Sequence, residues 1–109
     1  MVLSKGDKKA ARIIIDKGLE KEFEIALTRA ESIVQDWRKG DLSNRDGYHK
    51  LYKHVDKTDG RIARRYDGLT GSRYFLTVAS LYHDRLVTDK DLELLSEQTR
   101  AAIHGFLEL

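Results

Sequence analysis

A row of basic side chains follows one face of the predicted second helix and continues past its end. Lysine and arginine bind phosphate groups in proteins, so such a row could hold a nucleic acid or another anion. A helix face exposed to water carries the same pattern when acidic neighbours partly neutralise it. Both interpretations remain open, and a nucleic-acid or anion-binding helical module is our alternative function. The candidate anion-binding residues are Lys57, Arg61, Arg64, Arg65 and Arg73.

Four histidines could supply metal ligands or a general base. They are His49, His54, His83 and His104. No two of them are four residues apart, the spacing that places two ligands on one helix face, and no nucleophile elbow, paired carboxylate or dinucleotide-binding loop accompanies them. We therefore predict no catalytic residue, no metal site, no cofactor and a protein that is not an enzyme. An enzyme that uses His83 or His104 is a third hypothesis.

Asp59 interrupts an apolar stripe on the second predicted helix. The stripe consists of Tyr48, Leu51, Tyr52, Val55, Ile62 and Tyr66. A carboxylate in such a stripe is costly unless it is paired, so Asp59 marks either a functional site or a turn that breaks the helix. Gly60 favours the break, because glycine costs about 1 kcal/mol in a helix interior relative to alanine. We predict a continuous helix from Ser43 or Asp46 to Asp67, with a break at Asp59-Gly60 as the alternative.

The composition is typical of one helical domain. The chain has 109 residues, no cysteine, no proline and 35% charged residues. Its length suits a single domain, 1–109, and the lack of cysteine excludes a disulfide framework or a zinc-thiolate site. The net charge is only +2, so binding to nucleic acid is not the first expectation. The longest apolar run is too short for a membrane span or a signal segment, and we expect a cytoplasmic protein without membrane contact.

The first element that positions these residues is one long helix over about 5–40. Ser4 and Asp7 resemble a capping signal at its start. A helix of that length protrudes from a small domain, so its apolar stripe needs a second copy or another protein to cover it. We predict an all-α fold, in which the long amphipathic helix forms the stalk of a homodimer. A head of about four shorter helices follows over 43–109, with helix starts at Ser72, Thr88 and Ser96. The predicted dimer interface consists of Ile15, Leu19, Phe23, Ala26, Ala30 and Ile33.

Three blocks of residues resemble the fluorescence recovery protein family of cyanobacteria. The first block is Ala11-Arg12, Asp16-Lys17 and Glu22; the second is Leu51, Ile62 and Tyr66-Asp67; the third is Ser72, Ala79, Leu81, Leu86 and Asp91-Leu92. The resemblance implies an all-α homodimer with long N-terminal helices at its interface. It also implies an accessory protein that is not an enzyme. Members of the family bind the photoactivated orange carotenoid protein and hasten its return to the resting form.

The positions that the family uses for this task carry other residues here. In the family they are a tryptophan, a histidine, an aspartate and an arginine on the second helix. The resemblance places them at His49, Tyr52, Lys53 and Asp59, where acidic and basic side chains are exchanged. An exchange of charge at a contact surface selects against the original partner. We therefore expect these four residues to bind an unidentified protein other than the carotenoid protein.

Overall fold

The computed structural model describes residues 1–107, apart from the side chain of residue 107. The described residues form five α-helices and one 3₁₀ turn, with no strand, which confirms the predicted all-α class. The helices are α1 (Lys5–Arg38), α2 (Asn44–Tyr66), α3 (Tyr74–His83), α4 (Asp89–Leu92) and α5 (Glu97–Leu107), and the 3₁₀ turn is Gly71–Arg73. The last two residues of the predicted head, 108 and 109, lie outside the described residues.

The chain divides into two compact units, and the boundary falls within α1. Unit 1 comprises Met1–Lys21 with the described part of Gly68–Leu109, and unit 2 comprises Glu22–Asp67. The sequence predicted one domain that contains a long helix over about 5–40 and a helical head over 43–109. In the structure, the first half of α1 groups with the later helices and the second half groups with α2.

The ends of α1 and α2 follow from local capping. Ser4 Oγ accepts a hydrogen bond from the Asp7 N–H at 3.1 Å, and Ser43 Oγ accepts one from the Asp46 N–H at 3.1 Å. These bonds satisfy donors that a helix start leaves unpaired. Gly40 stops the long helix because its φ of +87° lies in the left-handed region, where glycine carries no steric penalty. The second helix runs through Asp59-Gly60 without a break.

Unit 1 contains a closed apolar core. Its largest fully buried side chains come from α1, α3, α4, α5 and the loop before α4: Ile14, Val78, Leu81, Val87, Leu92 and Ile103. Thr88 and Asp91 form the predicted capping box at the start of α4. The predicted cap at Ser72 does not form, because the 3₁₀ turn precedes α3 and the Ser72 hydroxyl lies 2.9 Å from that of Thr70.

Candidate protein interaction face

Unit 2 is an antiparallel hairpin made of the second half of α1 and all of α2. Trp37 Nε1 donates to Asn44 Oδ1 at 2.7 Å near the connecting loop. Further along, His54 Nε2 lies 2.9 Å from the Ala26 carbonyl oxygen. Gly47 allows this close approach, since a Cβ at that position would lie 3.2 Å from Trp37 Cβ. The helices therefore run side by side in one register along their whole shared length.

The buried carboxylate of Glu22 lies at the end of the hairpin that is opposite the connecting loop. The Glu22 side chain is 5% exposed, and its Oε1 lies 3.4 Å from Arg65 Nη1 and 3.9 Å from Arg61 Nε. Burial raises the pKa of the Tyr66 hydroxyl well above its usual value, and the neighbouring Glu22 carboxylate raises it further. Neither Glu22 Oε2 nor Tyr66 Oη completes a hydrogen bond, although the two groups are close enough to interact electrostatically. Arg61 and Arg65 of α2 lie close enough to Glu22 to offset its negative charge, and a buried carboxylate requires such a partner.

One side of the hairpin is covered with exposed apolar side chains. The most exposed are Leu27 of α1, at 71%, and Tyr48 of α2, at 76%. Val34 and Tyr48 border the same apolar groove of about 250 Å³, which also contacts Ile33, Trp37 and Leu51. The exposed strips of both helices therefore lie on one side, which we call the hairpin face. It consists of Phe23, Leu27, Ala30, Val34 and Trp37 of α1 and Tyr48, Tyr52, Val55 and Asp59 of α2.

The structure places the six predicted dimer residues in three different environments. Ile15 is 7% exposed within unit 1 and Ile33 is 3% exposed within the hairpin, so the chain itself already covers both. Leu19, Ala26 and Ala30 are half-buried, and Phe23 is exposed. Ile15 and Ile33 consequently have little surface left for a second copy, contrary to the expectation from the apolar stripe.

The predicted dimer interface did not include Leu27, the most exposed of the large apolar residues of α1, or Val34, which is also exposed. The apolar positions 23, 27, 30, 34 and 37 follow a 4-3-4-3 spacing, which is the spacing of a helix–helix seam. The overlapping stripe at 19, 23, 26, 30 and 33 has an equivalent spacing and shares two of these positions. Only the packing of α2 shows which of the two stripes remains exposed.

The four residues predicted to bind another protein are all exposed on α2. At about 100° per residue, they cover an arc of roughly 120°. Tyr52 and Asp59 belong to the hairpin face, whereas His49 and Lys53 lie on the adjoining outer edge of the helix. The structure thus brings the predicted residues together along one helix.

The five candidate anion-binding residues do not form one site within the hairpin. Arg61 and Arg65 lie beside Glu22, and Arg73 belongs to the 3₁₀ turn of unit 1. Lys57 and Arg64 are exposed on α2. Because the arginines nearest to Glu22 neutralise its charge, the basic row is weaker as an anion site than its sequence indicated.

Unit 1 contains two polar clusters that the sequence did not reveal. The buried Asp7 carboxylate accepts hydrogen bonds from the Ser96 N–H at 2.8 Å, the Ser96 hydroxyl at 2.7 Å and the Thr99 hydroxyl. Burial alone would raise the pKa of Asp7, but the hydrogen bonds from Thr99 and Ser96 lower it below its usual value. This cluster joins the start of α1 to the start of α5.

The second cluster is exposed and contains one of the histidines considered above. Asp89 Oδ1 accepts a hydrogen bond from the Tyr82 hydroxyl at 2.7 Å and lies 2.9 Å from His104 Nε2. The hydrogen bond from Tyr82, followed by that of His104, lowers the pKa of Asp89. The arrangement links α3, α4 and α5. Among residues 1–107, no group of three or more histidine, aspartate or glutamate side chains is arranged to hold a metal ion.

Comparisons with protein-family models, with curated proteins and with solved structures give no match to this chain. The resemblance to the fluorescence recovery proteins therefore rests on the three sequence blocks alone. None of the helices in the described part of the chain is both long and apolar enough to cross a membrane.

Proposed function

We propose that this protein is a non-enzymatic, homodimeric helical protein of the fluorescence recovery protein type, which acts by binding another protein. The observation that carries the proposal is the hairpin face. It is contiguous, formed by two helices, and has apolar side chains at its centre. Surfaces of this kind in soluble proteins mark sites of protein contact.

A second copy is the first partner that the hairpin face needs. Two packed helices cover only one side of each other, so an apolar strip on the remaining side requires a further layer of helices. Unit 2 supplies no third helix of its own. A dimer of hairpins would provide that layer and form a four-helix bundle.

The partner beyond the dimer is an unidentified protein, and the family resemblance supports an accessory role. The exchange of charge at Lys53 and Asp59 argues against the carotenoid protein as that partner. The anion-binding alternative receives less support, because Arg61 and Arg65 lie beside the Glu22 carboxylate.

Light scattering coupled to size-exclusion chromatography tests the proposal with two matched variants of α1. Leu27→Glu places a charge on the hairpin face, and Ile25→Glu places the same charge on an exposed apolar residue of the opposite flank. We expect a two-chain mass for the wild type and for Ile25→Glu, and a one-chain mass for Leu27→Glu. A one-chain mass for the wild type at micromolar concentration would contradict the proposal.

A further inference from the structure

The Lys8 side chain of α1 lies across the 3₁₀ turn of unit 1. A Cβ at Gly71 would lie 3.3 Å from Lys8 Cε and 3.4 Å from Lys8 Nζ. The φ angle of Gly71 is not in the left-handed region, so the backbone does not require glycine at this position. The absent side chain instead makes room for the Lys8 ammonium group beside the turn.

Arg12, one helical turn further along α1, contacts the residue that follows the same 3₁₀ turn. Its Nε donates a hydrogen bond to the Tyr74 hydroxyl at 3.2 Å, and its guanidinium carbon lies 5.8 Å from the centroid of the Tyr74 ring. These contacts leave the N–H groups of both Nη atoms for another acceptor. Arg73 is exposed and belongs to the turn itself. Lys8 and Arg12 therefore meet one short segment that carries a further cation.

The two segments that meet here contain almost no acidic residues. Asp7 is the one carboxylate within residues 1–15 and 68–83. It is buried and accepts hydrogen bonds from Ser96 and Thr99 of unit 1, so its charge is already compensated. The basic side chains of the two segments are Lys5, Lys8, Lys9, Arg12 and Arg73.

The carboxylates outside these segments do not neutralise the cluster either. Those that border the segments or begin α5 are Asp16, Asp67, Asp84 and Glu97. Among residues 1–107, no carboxylate forms an ion pair with Lys8, Arg12 or Arg73. Lys17 differs, because its ammonium group lies 3.3 Å from Asp91. The positive charge beside the 3₁₀ turn is therefore available to an external anion.

Hydroxyl groups of the same segment add neutral donors. Thr70 Oγ1 and Ser72 Oγ lie 2.9 Å apart, so one hydroxyl donates to the other and one O–H is left over. The Tyr74 oxygen accepts from Arg12, which leaves its own O–H to donate elsewhere. The cluster thus offers donors and positive charge, and it suits a ligand that supplies several anionic acceptors. A phosphate group has this chemistry, with more acceptor oxygens and more charge than a carboxylate.

We propose that Lys8, Arg12 and the segment from Thr70 to Tyr74 form a binding site for one phosphate group, either inorganic phosphate or the monoester of a small molecule. Lys8 and Arg12 are only about 6 Å apart along α1, which suits a single phosphate, whereas nucleic acids are bound through many phosphates in a row. Of the basic row predicted from the sequence, this site uses Arg73 alone. It lies within unit 1, so it is independent of the proposed contact through the hairpin face of unit 2.

A titration of the full chain with inorganic phosphate, followed by the amide resonances in ¹H–¹⁵N NMR spectra, tests the site. Constant ionic strength, adjusted with chloride, removes the general effect of screening. We expect saturable shifts of the Gly71, Ser72 and Arg73 amides with one phosphate per chain. Shifts that grow linearly without saturation, or that saturate around Arg61 and Arg64 instead, would overturn the proposal.

Substitutions distinguish the built site from general attraction to a basic protein. Lys8→Gln and Arg12→Gln should each weaken phosphate binding about tenfold, the factor expected for one charge-assisted hydrogen bond. Lys17→Gln removes the same charge from the opposite flank of α1 and should bind phosphate as the wild type does. Equal weakening by Lys8→Gln and Lys17→Gln would show that only net charge matters, and would overturn the site.

Gly71→Ala provides a second test that retains every charge. The added Cβ would push the Lys8 side chain away from the turn, so phosphate binding should weaken although the net charge is unchanged. Circular dichroism spectra verify the fold of each variant. Unchanged phosphate affinity in a folded Gly71→Ala protein would contradict the role given to Lys8.

The same titration with glycerol phosphate identifies the source of the phosphate group. Tighter binding of glycerol phosphate than of inorganic phosphate supports a monoester ligand, and the reverse order supports the free ion. Saturable binding of neither compound would overturn the proposal and leave the proposed dimer untouched.

Discussion

The two compact units bury their apolar side chains to different extents. In unit 1, side chains such as Leu81, Leu92 and Ile103 are fully enclosed by the chain. In unit 2, Ile33 is the one buried apolar side chain, and the others are half-buried or exposed. A single helix, α1, therefore serves as a core element in its first half and as an open surface in its second. Apolar periodicity identifies a helix that will be covered, but not what covers it.

The largest effect should come from the closed core of unit 1. Leu92→Ala removes a fully buried side chain and leaves a cavity, so we expect the free energy of unfolding to fall by about 2–5 kcal/mol. The neighbouring Leu94 is half-exposed and provides the matched control. Leu94→Ala should cost less than about 1 kcal/mol in the same urea titration. Equal losses for the two variants would contradict the distinction between the core and the surface of unit 1.

A charge placed on the hairpin face of unit 2 should weaken the association of two copies. Phe23→Glu removes an apolar side chain whose burial is worth up to about 1.5–3 kcal/mol in each copy, and it adds a charge that the dimer would bury. We expect the dissociation constant to rise more than about a hundredfold. The melting temperature of the wild type should also increase with protein concentration, whereas that of the variant should not.

Ser32→Glu is the control for this experiment, because Ser32 is exposed on the flank of α1 that lies away from the hairpin face. It should melt with the same concentration dependence as the wild type. If Ser32→Glu and Phe23→Glu behave alike, the hairpin face is not the contact surface.

The helix caps and the second helix show which parts of the fold could be predicted from the sequence. Ser4 and Thr88 act as predicted because a helix cap depends on residues within one turn of each other. The second helix was also predicted to be continuous. One glycine in a helix interior costs less free energy than the packing of a long helix contributes.

The parts that could not be predicted depend on residues distant along the chain. Asp7 was predicted only to open its own helix, but its carboxylate accepts hydrogen bonds from Ser96 and Thr99, which lie 89 and 92 residues further along the chain. The exposure of Leu27 likewise depends on the register between α1 and α2, which Trp37 and Gly47 establish. The periodicity of a single helix contains neither of these long-range contacts.

The Asp7 cluster gives unit 1 a pH dependence that can be measured. A carboxylate whose pKa is lowered on folding stabilises the protein above its unfolded pKa of about 3.9, and this contribution is lost as the pH falls through the folded value. Asp7→Asn should lower the free energy of unfolding by about 1–3 kcal/mol at neutral pH, because its amide group opposes the donors of Ser96 and Thr99.

The difference between the wild type and Asp7→Asn should shrink as the pH is lowered from 6 towards 3. Asp16→Asn, at an exposed position of α1, should differ little from the wild type over the same range. A constant difference between the wild type and Asp7→Asn at every pH would show that ionisation of Asp7 does not contribute.

The smallest expected effect compares two glycines of α2. A Cβ at Gly60 would meet only the Arg64 guanidinium at 3.5 Å, so Gly60→Ala should gain about 1 kcal/mol from helix propensity. A Cβ at Gly47 would press against Trp37, and Gly47→Ala should gain less or lose stability. Thermal melts at one protein concentration are sufficient for this comparison. A larger gain at Gly47 than at Gly60 would contradict the close packing described for the hairpin.

Sedimentation equilibrium of the wild-type protein tests the central claim most directly, namely that the hairpin face binds a second copy. Measurements over a range of micromolar concentrations report the mass without any substitution in the chain. The account predicts a species with twice the 12.6 kDa mass of one chain, dissociating reversibly on dilution. A mass of one chain at every concentration would contradict it.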